Sequence, residues 1–263
     1  MKESNITIMG IVNLNDDSFY APSRSRGAAV AAKVEKMLEE GAGIIDLGAV
    51  SSRPGASEVS LEEEWERLSG GLDALKEAFS TLPDISVDTT RSEIVRRVYS
   101  RIGRFTVNDI SAGEQDPLML NTAAELGLPF IAMHNAGPAD APASYPRGVV
   151  AAVADFFEGF SRRAGEAGLG EWILDPGFGF SKTVGENYEL LAGLGSLLRF
   201  GRPVLAGVSR KSFIYRPLGI TPEEALAPTQ VIHAMALERG ATILRVHDVK
   251  SAVQTVSLFA FTK

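Results

Sequence analysis

The chain has 263 residues, 45% hydrophobic and 22% charged, and a net charge of −7 at pH 7, the composition of an ordinary globular protein long enough to bury a core without staples. It has no cysteine, which excludes disulfides, thiolate metal sites and a cysteine nucleophile, and its acidic balance disfavours broad contact with nucleic acid or anionic lipid. Met1–Gly10 lacks an apolar core of signal-peptide length, and no run approaches about 18 unbroken apolar residues, so we expect a cytoplasmic protein with no membrane contact.

Ile6–Val12 predicts a first strand. The polar, turn-rich NLNDDSFYAPSRSR that follows is too long for a tight connection and is a candidate mobile active-site loop. Val30, Val34, Met37 and Leu38 share one face of a first helix, which Gly41 stops. Ile44–Leu47, carrying Asp46, is strand 2, with the loop GAVSSRPGA after it. Ser60 and Glu63 have capping-box spacing, and Leu61, Trp65, Leu68, Leu72, Leu75 and Phe79 give the next helix an apolar stripe. Strand 3, Ile85–Val87, ends at Asp88; Thr90 and Glu93 predict a second capping box, before a helix that buries Ile94, Val98 and Ile102. Strand 4, Phe105–Val107, ends at Asn108-Asp109, and Asp116-Pro117 stands in N-cap and N1 order for helix 4.

Strand 5, Pro129–Met133, ends at His134, and Asn135–Pro146 reads as one long loop. Helix 5 buries Val149, Val153, Phe156 and Phe160. The run Trp172-Ile173-Leu174 delivers Asp175 into the glycine-rich loop DPGFGFSK, and Thr183 with Glu186 caps helix 6. Strand 7 is Pro203–Ala206, followed by GVSRKSF; Thr221-Pro222-x-Glu224 starts a helical segment that Pro228 breaks or restarts before Val231, Met235 and Leu237. Strand 8, Thr242–Val246, ends at His247-Asp248, and a last helix carries Val249, Val253 and Val256.

Eight alternations of short strand and amphipathic helix mean a parallel sheet with helical crossovers. In this length they favour a single α/β domain over residues 1–263, a closed (β/α)8 TIM barrel with its active site at the C-terminal ends of the strands. No GxGxxG follows the first strand, so a dinucleotide site is not expected. The strand ends carry Asn13, Arg53, Asp88, Asn108, His134, Asp175, Ser209-Arg210-Lys211, Arg245 and His247, whereas the loops entering the strands are plainer. Arg53, Lys211, Arg245 and His247 form a half suited to an anion, with Ser209 placed at an expected helix start. Asp88, Asp175 and the Asn108 amide suit an aminopyrimidine edge, and Phe178, Phe180, Met133 and Ile110 a flat ring. The plainer alternatives are that Asp88 and Asp175 are helix caps, that His134 is a satisfied turn histidine, that His233 is structural and that Lys182 lies at the surface or a helix start. No Ser-His-Asp order and no zinc-ligand spacing is present, and Lys211 lacks the apolar strand setting of a Schiff-base lysine.

In order, the chain reads IVN at Ile11–Asn13, SSRPGA at Ser51–Ala56, SVDT at Ser86–Thr89, VNDIS at Val107–Ser111, MH at Met133-His134, DPGFGFSK at Asp175–Lys182, GVSRKS at Gly207–Ser212 and RVHDV at Arg245–Val249. With these motifs it resembles the dihydropteroate synthases, within the pterin-binding barrels. The resemblance implies a folate-biosynthesis transferase, a sulfonamide target, that joins 4-aminobenzoate to 6-hydroxymethyl-7,8-dihydropterin diphosphate and releases diphosphate. It implies that Asp88, Asn108, Asp175 and Lys211 hold the pterin, with Ile110, Met133, Phe180 and Gly207 beside it and Arg245 stacking on it. It implies a diphosphate group of Asn13, Ser52, Arg53, Arg245 and His247, with Mg²⁺ bridging Asn13 and the diphosphate. Ser209 then seats the aminobenzoate carboxylate, Phe19 and Pro54 wall its ring, and Arg53 and Lys211 adjoin it. The catalytic set implied is Asp88, Arg53, Lys211, Arg245 and His247, in a homodimer built through helices of the later barrel. Two departures stand out: Asn15-Asp16 replace the family's Thr-Pro in the first loop, and Ala49-Val50-Ser51-Ser52 replace Gly-Glu-Ser-Thr in the second. The alternatives are a non-catalytic pterin-binding paralogue and a methyltetrahydrofolate methyltransferase-like barrel. The second fits less well, since a methyl carrier has no diphosphate to occupy Arg53, Arg245 and His247.

Overall fold

A computed structural model describes residues 6–14, 23–50, 59–137, 141 and 143–262. In chain order the elements are β1 Thr7–Asn13, α1 Ser23–Glu39, β2 Ile44–Gly48, α2 Leu61–Ala78, β3 Ile85–Asp88, α3 Ser92–Ile102, β4 Thr106–Asp109, α4 Met119–Glu125 and β5 Phe130–Met133. Then come α5 Val149–Glu166, β6 Trp172–Asp175, α6 Val184–Gly193, β7 Leu205–Ala206, α7 Ser212–Leu218, α8 Leu226–Glu238, β8 Ile243–Val246 and α9 Val249–Ala260, with short 3₁₀ turns at Leu194–Phe200 and Glu223–Ala225.

The strands form one parallel sheet in the order β6-β5-β4-β3-β2-β1-β8-β7. The ring closes between its two ends through a parallel bridge from Leu174 to Val204, where the Leu174 N–H donates to the Pro203 carbonyl at 2.9 Å. The expected α/β barrel is therefore present, each strand within a residue or two of its expected place.

Strand side chains alternate between two environments. The outward set joins the helices in one large core that includes Val12, Leu47, Val87, Val107 and Leu174. The inward set is a small separate cluster of Met9, Ile131, Leu205 and Ile243, with Ile44 and Ile173 against it. Two residues further along, the same inward rows turn from apolar to charged. Asp46 follows Ile44, Asp175 follows Ile173, and Arg245 follows Ile243. The barrel thus has a greasy floor and a charged layer above it, at the strands' C-terminal ends.

Several local expectations need correction. Thr90 does not cap α3. Its N-cap is Arg91, which makes no side-chain bond, and the Ser92 N–H is instead taken by Asp116 Oδ2 at 2.7 Å. Asp116 is thereby shared with a neighbouring helix, its other oxygen accepting from the Leu118 N–H at 2.9 Å, and α4 begins only at Met119. On α5, Phe157, stacked on Trp172, is fully buried along with Phe160, whereas Phe156 is half-buried. The Thr183–Glu186 capping box is complete, whereas Ser60 accepts from the Glu63 N–H while the Glu63 carboxylate goes to Arg67.

Candidate active site

Arg245 is the centre of the charged layer. Its Nε donates to Asp46 Oδ2 at 2.7 Å and its terminal nitrogen reaches Asp88 Oδ2 at 3.0 Å. Asp46 is fully buried and also accepts from Asn108 Nδ2 at 3.2 and 3.3 Å. The β2–β3–β4 register brings them together: Gly48 lies beside Asp88, and Asp88 beside Asn108. Burial pushes the Asp88 carboxyl up and the Arg245 charge opposes it, leaving it at about 7. Burial by itself would lower Arg245, but Asp46 and Asp88 more than reverse this and keep it charged.

The opposite wall is the loop after β6. Asp175 is buried, and its Oδ1 accepts the Gly177 N–H at 2.8 Å. Burial pushes this carboxyl up, against the pull of Lys211 and of the Gly177 N–H. Lys211, arriving from the β7–α7 loop, donates to the Phe178 carbonyl and places Nζ 4.6 Å from the centre of the Phe180 ring. Burial draws its ammonium down to about 8, and Asp175 resists this. Gly207 keeps the space between them open, since a Cβ there would lie 3.9 Å from both Asp175 Oδ2 and Lys211 Nζ. Gly179 leaves room for the lysine stem, which a Cβ would meet at 2.8 Å. Phe180 is half-buried at the mouth, but Phe178 is wholly buried against Phe213 and cannot face a ligand.

The structure thus brings together Asp88, Asn108, Asp175, Gly207, Lys211 and Arg245. Met133 lies buried in the interior beside Asp175, its register partner, and Ile110 lines a cavity of about 130 Å³ next to Asp88. Asn13 ends β1 next to Gly48. His247 is exposed, with its backbone N–H on Ser209 Oγ at 3.3 Å. Ser209 does not start the helix itself: it stands two residues before Lys211, the N-cap of α7. Phe19, Ser52, Arg53 and Pro54, together with the Asn15-Asp16 departure, lie outside the described residues. Neither aspartate is a helix N-cap; those positions belong to Arg91 and Thr183. A larger concavity of about 450 Å³ lies between α2 and α3, but its Arg96, Arg97 and Arg101 are all paired with carboxylates.

Asp46 joins this layer although no strand tip carries it. It was legible as the inward neighbour of Ile44 at a spacing of two, but it stands in the middle of a strand rather than at its tip. Among the described residues no group of three carboxylate or imidazole side chains is placed to hold a metal. Asn13 offers one neutral oxygen. That fits a magnesium ion carried mainly by water and substrate phosphate, not one caged by protein.

Fold and site together define a (β/α)8 barrel with carboxylates, an amide and cations gathered at the strands' C-terminal ends. A family model described as pterin binding enzyme matches residues 9–247. The chain is 38% identical over 260 residues to the dihydropteroate synthase of Escherichia coli (strain K12), covering 97% of this chain and 91% of that one. It is also 38% identical over 264 residues to that of Streptococcus pyogenes serotype M1, covering 98% and 96%. Among solved structures, the Xanthomonas albilineans dihydropteroate synthase with 4-aminobenzoic acid superposes with a TM-score of 0.87 at 36% identity, over 98% of this chain and 93% of that one. The Yersinia pestis dihydropteroate synthase with a sulfonamide drug gives 0.88 at 33%, over 100% and 96%. The chain belongs to the pterin-binding enzyme family.

Proposed function

We propose that the protein is a dihydropteroate synthase, a transferase of folate biosynthesis that joins 4-aminobenzoate to 6-hydroxymethyl-7,8-dihydropterin diphosphate. The observation that carries this reading is the charged layer: two carboxylates pushed up by desolvation, half-buried Asp88 and buried Asp175, gathered with Asn108, Lys211 and Arg245 at the strands' C-terminal ends. A carboxylate raised by burial gains most from incoming N–H donors, and the aminopyrimidine edge of a pterin supplies them. Asp175 Oδ2 and the Asn108 amide read that edge, Lys211 Nζ lies beside Asp175, and Phe180 and the Arg245 guanidinium bound the ring.

The reaction breaks the carbon–oxygen bond to diphosphate, forms a carbon–nitrogen bond to the arylamine and releases one proton. No covalent protein nucleophile is required. Arg245, fixed by Asp46 and Asp88, holds positive charge where the leaving group develops negative charge. Arg53, Ser52 and His247 are proposed to complete that cradle. A magnesium ion, when bound, neutralises diphosphate charge, with Asn13 as its protein oxygen. Asp88 accepts from a ring N–H of the dihydropterin and, ionised, offsets the positive charge left on the methylene. Ser209 and Lys211, with Phe19 and Pro54, are proposed to receive the aminobenzoate.

The proposed setting is the cytoplasm and the proposed assembly a homodimer. Leu218 on α7, Leu226 and Val231 on α8 and Leu258 on α9 are large apolar side chains left exposed, and they support a second copy as partner. Diphosphate release measured with both substrates tests the function. Turnover that requires 4-aminobenzoate is expected, and it should be lost in Arg53→Ala and Asp175→Ala. The Asn15-Asp16 substitution favours one other reading, a pterin-binding paralogue without catalysis. Pterin binding with no diphosphate release would support that reading instead.

A further inference from the structure

Lys182, the last residue of the glycine-rich loop, is not at the surface: it is 8% exposed. Its Nζ reaches back under its own loop, donating to the Gly177 carbonyl at 2.8 Å and the Phe180 carbonyl at 3.1 Å, and it meets His134 Nδ1 at 3.1 Å. An ammonium has three hydrogens, and all three are used. Between Gly177 and Phe180, the Phe178 carbonyl is held by Lys211. The loop that bears Phe180 therefore passes between two lysines. It also sits directly on the tip of β5. A Cβ at Gly177 would stand 2.0 Å from the His134 carbonyl, and the His134 N–H donates to the Asp175 carbonyl at 2.9 Å. The His134 ring is fixed edge-on to Phe156, with centroids 5.2 Å apart.

We propose that Lys182, seated on His134, is a positioning residue for the pterin site: it holds Gly177 to Phe180 in place so that the free oxygen of Asp175 and the Phe180 ring meet the substrate, and its charge offsets that of Asp175. The inference rests on the pterin reading above. The charged groups facing Lys182 are Asp175, Lys211 and Glu186. His134 is neutral, pushed down to about 3 by burial and then by the Lys182 charge. Burial brings Lys182 down to about 7, with Asp175 opposing. A neutral amine would still donate to both carbonyls and could accept a proton-bearing Nδ1 from His134, so the geometry outlasts the charge.

The test is calorimetric titration of Lys182→Met with 6-hydroxymethyl-7,8-dihydropterin diphosphate, paired with steady-state kinetics. Pterin binding should weaken by about tenfold, the scale of one lost charge-assisted contact. The KM for 4-aminobenzoate at saturating pterin should stay as in the parent protein. Unchanged pterin binding, or equal weakening toward both substrates, would overturn the proposal. Should Lys182→Met fail to fold, His134→Gln and His134→Leu replace it: the Gln side chain keeps an acceptor for Lys182 and the Leu side chain does not. Weaker pterin binding in His134→Leu than in His134→Gln supports the role, and equal binding overturns it. A parent protein that binds no pterin refutes the pterin reading itself, an outcome visible before any variant is made.

Discussion

Asp46 has no exposed surface, and it faces the Arg245 guanidinium through Nε and a terminal nitrogen, and Asn108 Nδ2. An amide in its place presents one oxygen and an NH₂ group that points at like donors, while Arg245 loses half of its neutralising charge. Removing one partner of a buried ion pair costs about 3–5 kcal/mol, and Asp46→Asn is expected to lower stability by that order in urea denaturation and to lose pterin binding. Asp88 makes a prediction about pH. Its folded value of about 7 stands above the ordinary 3.8, so between those pH values the unfolded chain binds fewer protons and stability falls as pH rises. Lys211 and Lys182 act in the opposite sense: lowered to about 8 and about 7 from 10.5, they add stability as pH rises above those values. His134 and His233, held down at about 3 and about 4 from 6.5, add stability over the window in which Asp88 removes it, so the Asp88 contribution is read as a difference: in thermal melts of the ligand-free protein, Asp88→Asn should gain on the parent as pH rises from about 4 to about 7. Pterin N–H donors favour the ionised Asp88, so pterin affinity should rise from pH 5.5 to 7.5 with proton uptake by the buffer. Calorimetry in buffers of different ionisation enthalpy measures this directly; affinity independent of pH over that range counts against Asp88 as the acceptor.

At the scale of elements, the β6–α6 loop shows how far local sequence reaches. The acid at a strand tip, the turn glycines and the Thr183–Glu186 cap were all legible because each is a contact between near neighbours. The roles of Lys182 and Phe178 were not, because their partners, His134 on β5 and Phe213 on α7, are distant in sequence. Asp116 shows the same limit: it has the spacing of a cap for its own helix, yet one of its oxygens is committed to Ser92 of α3. Gly177 offers the sharpest test of this loop. Its φ is +69°, and a Cβ would stand 2.0 Å from the His134 carbonyl, which is backbone and cannot rotate away. Gly177→Ala should cost more than the roughly 1 kcal/mol of a left-handed alanine alone and should displace Asp175, whose Oδ1 accepts the Gly177 N–H. Urea denaturation should show the loss of stability, and pterin titration a larger proportional loss of affinity than Gly185→Ala, where an added Cβ meets nothing within 4 Å.

The whole molecule was the most legible scale, since eight strand–helix alternations leave few ways to bury their apolar faces other than a ring. What alternation could not convey was the layering inside the ring. Ile44, Ile173 and Ile243 on the floor and Asp46, Asp175 and Arg245 above them belong to three strands whose relative register only the closed sheet defines. The outside of the barrel carries the last prediction. α7, α8 and α9 pack in succession, α7 on α8 and α8 on α9, and they leave Leu218 56%, Val231 60%, Leu258 70% and the adjoining Phe261 82% exposed. Isolated exposed leucines need no partner, but several on three contiguous helices are what an interface between copies requires. Because these side chains are already in water in the single chain, a charge placed there changes folding stability by about 0.5 kcal/mol or less, whereas buried unpaired charge in a self-complementary interface is repelled from both copies. Val231→Lys with Leu258→Lys should therefore sediment as a monomer at concentrations where the parent is a dimer, with an unchanged melting profile once dissociation is accounted for. Pterin binding should persist, since the described residues proposed to hold the pterin all come from one barrel; a parent protein that is itself monomeric, or a double variant that remains dimeric, refutes this surface as the interface.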